Sequence, residues 1–253
     1  MPRLIPSRLV AACALALVFA LLLSTGAQAY QRLIGPNLRV VGKGGKVLAE
    51  RSFAVNGDVS IKASPNANCF GPGTGGSGKS VKMKEATALG MLLRAAKFTA
   101  ALKPLLITDA FDFGLGICGV GGYKTTQKLS WYLKVNHKGS LLSGDAVKLK
   151  AGDEVIWALA SYPYPRELSL AAPFSAHPGV PFEVSVFSYD DKGKKKPAAG
   201  VTVTGASGPT DAAGHAMVTL SEEATLIARR GKDIPSNSER VHMCLSNGLC
   251  PVP

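Results

Sequence analysis

Apolar residues along the chain recur with two periods, and the shorter one dominates. Residues 38–41 and 47–55 are strand-like on either side of a Gly-Lys-Gly-Gly turn, which predicts a hairpin, and residues 59–61 continue the alternation. Residues 64–80 are rich in Pro, Asn, Gly and Ser around Cys69 and read as a loop. The helical period appears over residues 87–102. There Leu89, Leu92, Leu93, Ala96 and Ala100 fall on one face, Thr87 is placed to cap the start and Pro104 to stop the end. After a mixed stretch at 105–113 comes a glycine-rich loop at 114–122 that carries Cys118. Strands are then predicted at 129–135, 147–149 and 154–159, with turns at 136–139 and 150–153. One helix followed by a meander of strands is α+β organisation, with the main helix packed on a sheet. Alternation puts Trp131 and Leu133 on one face of their strand and Tyr132 and Lys134 on the other. Trp131 and Trp157 are assigned to the core beneath the helix.

The Tyr162-Pro163-Tyr164-Pro165 segment marks a boundary, because two prolines stiffen the chain and cannot join a central strand. Beyond it, short strands are predicted at 168–170, 181–189, 201–203, 216–220 and 224–228, without any helical period. That spacing predicts an all-β sandwich. The polar tail that follows is closed by the last two cysteines. The expected organisation is a signal peptide (1–29), an α+β domain (30–163), a β-sandwich (164–232) and a disulfide-closed tail (233–253).

Three features place the protein outside the cytosol. Arg3 and Arg8 precede an unbroken apolar run at 9–23, and Ala27-Gln28-Ala29 forms a small-x-small cleavage site, so the mature chain is expected to start at Tyr30. The run is shorter than the roughly 20 residues a spanning helix needs, and no second apolar span follows, so no transmembrane segment is expected after cleavage. Cys13 leaves with the leader, and the even set Cys69, Cys118, Cys244 and Cys250 remains. Four cysteines allow three pairings. Cys244 and Cys250 flank the turn-forming pair Asn247-Gly248 and can close a short loop, which leaves Cys69 for Cys118. Disulfides fit an exported protein. No C-x-x-C occurs and the four histidines are far apart, so no metal site is expected.

The middle segment resembles a known family. Thr87-Ala88-Leu89 opens a helix containing Ala95-Ala96, and a glycine-rich loop ends in Gly122-Tyr123. Trp131-Tyr132-x-x-Val135-Asn136 comes next, then Leu149-x-x-Gly152-Asp153-x-Val155-x-Trp157. This pattern, over about residues 38–160, resembles the transcobalamin-like C-terminal domain of exported bacterial proteins. The departure is His137, where the family usually carries Gly after Asn. Residues 168–228 resemble a bacterial immunoglobulin-like or carboxypeptidase-regulatory-like sandwich, through 199–203 followed by Thr210-Asp211-Ala212-Ala213-Gly214. The resemblance implies a binding or surface module. It implies cobalamin-like ligands as one option, but a fold does not fix a ligand.

Chemical motifs add little. Residues 73–80, Gly-Thr-Gly-Gly-Ser-Gly-Lys-Ser, match the phosphate-loop pattern by letter, but no apolar strand precedes them and no helix start follows Lys79-Ser80. A P-loop nucleotide-binding enzyme is therefore the distant alternative. Residues 114–119 match the dinucleotide fingerprint without the following helix. The acid pairs Asp109/Asp112, Asp190/Asp191 and Glu222/Glu223 read as solvated loop charge. No catalytic residue and no cofactor are expected. Tyr132, Tyr162 and Tyr164 are the candidate stacking residues for a flat or sugar-like ligand. The chain has 29 Lys and Arg against 17 Asp and Glu, a net charge of +12. Because these cations are dispersed, specific nucleic-acid recognition is not expected; an anionic cell-wall polymer or another surface protein is the expected partner, through salt-sensitive attraction. The expectation is a secreted, non-enzymatic binding or scaffold protein.

Overall fold

The computed structural model of the protein describes residues 37–53, 58–83 and 86–252. The expected leader, its cleavage site and Cys13 lie outside the described residues. The N-terminal half contains β1 (Asn37–Val41), β2 (Val47–Ser52), β3 (Val59–Lys62), β4 (Ser80–Met83), helix α1 (Ala88–Phe98), β5 (Leu105–Thr108), β6 (Gly116–Val120), β7 (Tyr123–Lys124), β8 (Ser130–Val135), β9 (Lys138–Gly139) and β10 (Glu154–Ala160). The principal sheet has the order β2-β1-β10-β8-β9. Its hairpin β1-β2 is antiparallel, whereas β1 runs parallel to β10, with Leu38 beside Val155 and Val40 beside Trp157. A parallel pair needs a long crossover, and the intervening segment supplies it together with α1 and the small sheets β3-β4 and β5-β6-β7.

Helix α1 forms where the 3.6 period predicts it. The Thr87 side chain accepts from the Gly90 amide at 3.1 Å, and Leu89, Met91, Leu92 and Ala95 are fully buried. These side chains pack with Leu38, Val40, Trp131, Leu133, Val155 and Trp157 in one apolar cluster. Each fully buried leucine contributes about 1.5–3 kcal/mol. The helix stops earlier than the apolar period. Thr99 is extended (φ −123°, ψ 107°), and residues 100–102 form a separate 3-10 turn that buries Leu102.

Two more expectations are corrected. Residues 147–149 form no strand of a sheet. Instead Val147 O accepts from the Ala88 amide and the Leu149 amide donates to Ala86 O, both at 2.9 Å, so the segment satisfies a free amide at the helix start. Residues 114–122 are not loop throughout: 116–120 are β6, which pairs antiparallel with β5 and buries Ile117 and Val120.

The C-terminal half contains β11 (Glu167–Ala171), β12 (Ser175–Ala176), β13 (Phe182–Tyr189), β14 (Lys195–Pro197), β15 (Thr202–Val203), β16 (His215–Val218), β17 (Ala224–Leu226), β18 (Ala228–Arg229) and β19 (Glu239–Met243). β13 pairs with β11, β14 and β16; β12, β19 and β17 form a second sheet, and β15 pairs with β18. Alternate residues of these sheets, among them Leu168, Val184, Val186, Val218, Leu226 and Val241, share a second apolar cluster. Strand β19 lies in the segment read as a tail, and its Val241 belongs to this cluster.

Strand β10 (EVIWALA) is buried along six consecutive residues. Val155, Trp157 and Leu159 face the helix side, while Ile156 and Ala158 meet Val41 and Ile234 on the other. The sheet is therefore covered on both faces. A run of apolar residues without alternation is what double coverage requires.

The disulfides join Cys69 to Cys118 and Cys244 to Cys250. They fit a protein of an oxidising compartment. Among the described residues no helix is long and apolar enough to cross a membrane.

Candidate functional site

The candidate stacking residues are close together in space. Tyr132 points away from α1, and its ring is stacked on Tyr164 at 3.7 Å and 8°. Its hydroxyl donates to Asp191 Oδ1 at 2.8 Å. Burial, then the Asp191 hydrogen bond, push the Tyr132 hydroxyl well above its usual range. Tyr162 stands edge-on to Tyr164 at 5.8 Å and is 83% exposed. Tyr132 itself is 7% exposed, so Tyr164 already occupies the face that a ligand ring would need. Only Tyr162 and the outer side of Tyr164 remain accessible to one.

Beside this stack lies a groove of about 300 Å³. The buried Trp131 and Trp157 form its floor, and Tyr132 and Tyr164 also line it. Phe111 and Phe113, stacked at 4.9 Å and 12°, also line it, with Phe70. Leu141 and Leu142 form the rim. Ser130, Ser140 and Ser143 supply hydroxyls in the lining. Local chemistry sets the rim: Ser140 Oγ donates to Leu142 O and accepts from the Leu142 amide, a tight turn that turns the leucines outward. Phe113 (67%), Leu141 (104%) and Leu142 (63%) are exposed. Gly144 lets the loop lie flat on the floor, since a Cβ there would stand 2.6 Å from Trp157 Cζ2. Composition had singled out the tyrosines but not this groove, because its walls come from three separate loops.

The covered face of the sheet holds a buried ionic cluster. Glu167 is completely buried. Its Oε1 lies 2.7 Å from His137 Nδ1 and 3.2 Å from Arg39 Nη2, and its Oε2 lies 3.0 Å from Lys134 Nζ. Burial drives the Glu167 carboxyl upward, but the His137 hydrogen bond and the Lys134 and Arg39 cations outweigh it and hold the carboxyl below the ordinary glutamate range. Arg39 Nη1 also donates to Pro235 O at 2.8 Å. The His137 ring stacks on Tyr189 at 3.7 Å, and its Nε2 lies 3.4 Å from Glu154. His137, Glu154 and Glu167 converge within 4.8 Å, but two cations already balance Glu167, which favours an ion-pair network over a divalent ion. A polar cleft of about 460 Å³ adjoins the cluster, lined by Arg39, Glu50, Glu154 and Glu239 among others. Glu50 is engaged there by the Ser238 amide at 3.0 Å. Parity had placed Lys134 opposite the core, but nothing local showed that this face would be covered.

The remaining motifs have structural roles. Lys79 leads into β4, whose first residue is Ser80 and which pairs antiparallel with β3, so the helix N-terminus a phosphate loop needs is not at that position. Residues 116–119 of the dinucleotide-like match are in β6. Asp109 accepts from the Ser77 amide at 2.7 Å, and Asp190 accepts from the Lys192 and Lys194 amides. Among the basic residues, Lys82 pairs with Asp58 at 2.6 Å and Arg229 donates to Gly45 O at 2.7 Å.

In comparisons with known proteins, no family model, no curated protein and no solved structure matches the chain.

Proposed function

We propose that the protein is an exported, non-enzymatic binding protein that takes a flat, largely apolar small molecule into the groove above Trp131 and Trp157. The observation that carries this reading is the pairing of an aromatic floor with exposed Phe113, Leu141 and Leu142 at its edge. Exposed apolar side chains that converge on one concavity mark a binding site more often than scattered ones do. A volume of about 300 Å³ suits a small ligand or one plane of a larger one. The serine hydroxyls provide the few polar contacts that fix orientation. The resemblance to transcobalamin-like domains makes corrinoids the first ligand to try. The two disulfides support a working place outside the cytosol.

The test is titration of the protein with cobalamin, a porphyrin and a flavin, read by tryptophan fluorescence and thermal stabilisation. Binding by at least one is expected, with quenching of the two floor tryptophans. Replacing Phe113 or Leu141 by Ser should weaken it about tenfold. A flat response to the whole panel from folded protein would remove the small-ligand reading.

A further inference from the structure

We propose that the Cys244–Cys250 disulfide is a thiol–disulfide exchange site, with His177 as the acid that protonates Cys250 when that sulfur is released. The arrangement follows from strand register. β12 runs parallel to β19, with Ala176 beside Met243, and the Cys244 amide donates to Ala176 O at 2.9 Å. His177 and Cys244 are the next residues on each strand, so pairing itself brings the imidazole to the disulfide. Residues 245–249 then fold back, with the Leu245 amide donating to Leu249 O at 2.7 Å and the Leu249 amide to Asn247 Oδ1 at 3.1 Å. That turn returns Cys250 to a position where its Sγ is 3.8 Å from His177 Nε2. The imidazole nitrogen and both sulfurs lie within 4.8 Å of one another.

The two sulfurs are unequal. Cys250 is exposed and Cys244 is buried. An incoming thiolate therefore meets Cys250. Leu245 (61%), Leu249 (65%) and Val252 (80%) are exposed around it, an apolar collar that fits a cysteine flanked by apolar side chains. The Cys69–Cys118 disulfide has no such setting. Both its cysteines are buried beside Ala67, Leu106 and Phe111.

The step balances as follows. An external thiol gives its proton to solvent, and its thiolate attacks Cys250 Sγ. A sulfur–sulfur bond forms there while the Cys244–Cys250 bond breaks, and its electron pair leaves on Cys244 Sγ. The Cys244 thiolate takes a proton from solvent. A second external thiol gives its proton to solvent, and its thiolate attacks the external sulfur of the mixed disulfide; the electron pair leaves on Cys250 Sγ, to which His177, 3.8 Å away, hands a proton that it regains from solvent. Two external thiols are oxidised to one disulfide, and the protein's disulfide is reduced to two thiols, once per chain.

The experiment exposes the full exported protein to limiting reduced glutathione and maps trapped thiols by mass spectrometry over time. Cys244 and Cys250 should be labelled while Cys69 and Cys118 are not. A His177→Ala variant should release Cys250 from its mixed disulfide with glutathione about tenfold more slowly, with Cys69–Cys118 still unlabelled as an internal check on folding. A His177→Lys variant, which restores a cationic acid, should recover part of the rate. A cysteine peptide flanked by leucines should react several-fold faster than one flanked by serines, and Leu249→Ser should remove that preference. Equal opening of both disulfides, or an unchanged rate in His177→Ala, would overturn the proposal.

Discussion

His137 Nδ1 stands 2.7 Å from Glu167 Oε1, and His137 reaches it from a left-handed backbone. Asn136 (φ 48°) and His137 (φ 68°) form the turn between β8 and β9, a geometry that favours Asn-Gly. The residue that breaks the glycine expectation is thus the one whose ring is tied to the C-terminal half, through Glu167 and the stack on Tyr189. Backbone strain of about 1–3 kcal/mol is offset by a charge-assisted hydrogen bond of about 1.5–3 kcal/mol.

This balance orders two variants. His137→Gly removes the ring and the strain together, whereas His137→Ala removes the ring and keeps the strain. Both should lose stability in urea denaturation, Ala by about 1 kcal/mol more than Gly. Equal losses would mean the turn is not strained.

Glu167 is the only acid within contact distance of both Arg39 and Lys134 among the described residues. Glu167→Leu leaves two buried cations unpaired and should cost about 3–5 kcal/mol. Converting all three to apolar residues, with Arg39→Met and Lys134→Met, should recover most of that loss. Urea denaturation midpoints of the single and triple variants check it.

The same cluster sets an acid limit. Because the folded carboxyl of Glu167 lies below its ordinary value of 4.5, its contribution is complete above that value. It is lost as pH falls through the lower folded value, where the native state must take up a proton. The stability of the wild type should therefore fall more steeply below pH 4.5 than that of the triple variant. Parallel curves would show that the exposed carboxylates, not Glu167, carry the acid response.

Gly144→Ala probes the groove floor. The added methyl meets Trp157 at 2.6 Å, so either the loop lifts or the indole turns. A loss of about 1–3 kcal/mol is expected, with a shifted tryptophan emission maximum. Wild-type emission and stability would contradict the contact.

The disulfides differ in what they close. Cys69 and Cys118 are 49 residues apart, and Cys244 and Cys250 are 6 apart. By loop entropy, removing the first pair as a double Ala variant should cost about 4 kcal/mol and the second about 2. Thermal denaturation of the two double variants gives the order.

Much of the local structure was legible in the sequence. Short apolar and β-branched runs between turn signals located β1, β2, β8, β10, β11 and β13, and Thr87 with the leucine spacing located α1. Backbone geometry alone imposes that spacing. The parity of Trp131 and Lys134 was legible too. What covers the second face was decided only by the tertiary structure. It joined Arg39 and Lys134 to a glutamate more than a hundred residues away from Arg39, and built the groove from loops distant in sequence. It also set His177 beside Cys244 through a parallel register. Short-range patterns fix which way a side chain points. Which remote partner it meets depends on burial and charge complementarity across the whole fold, and no local period encodes that.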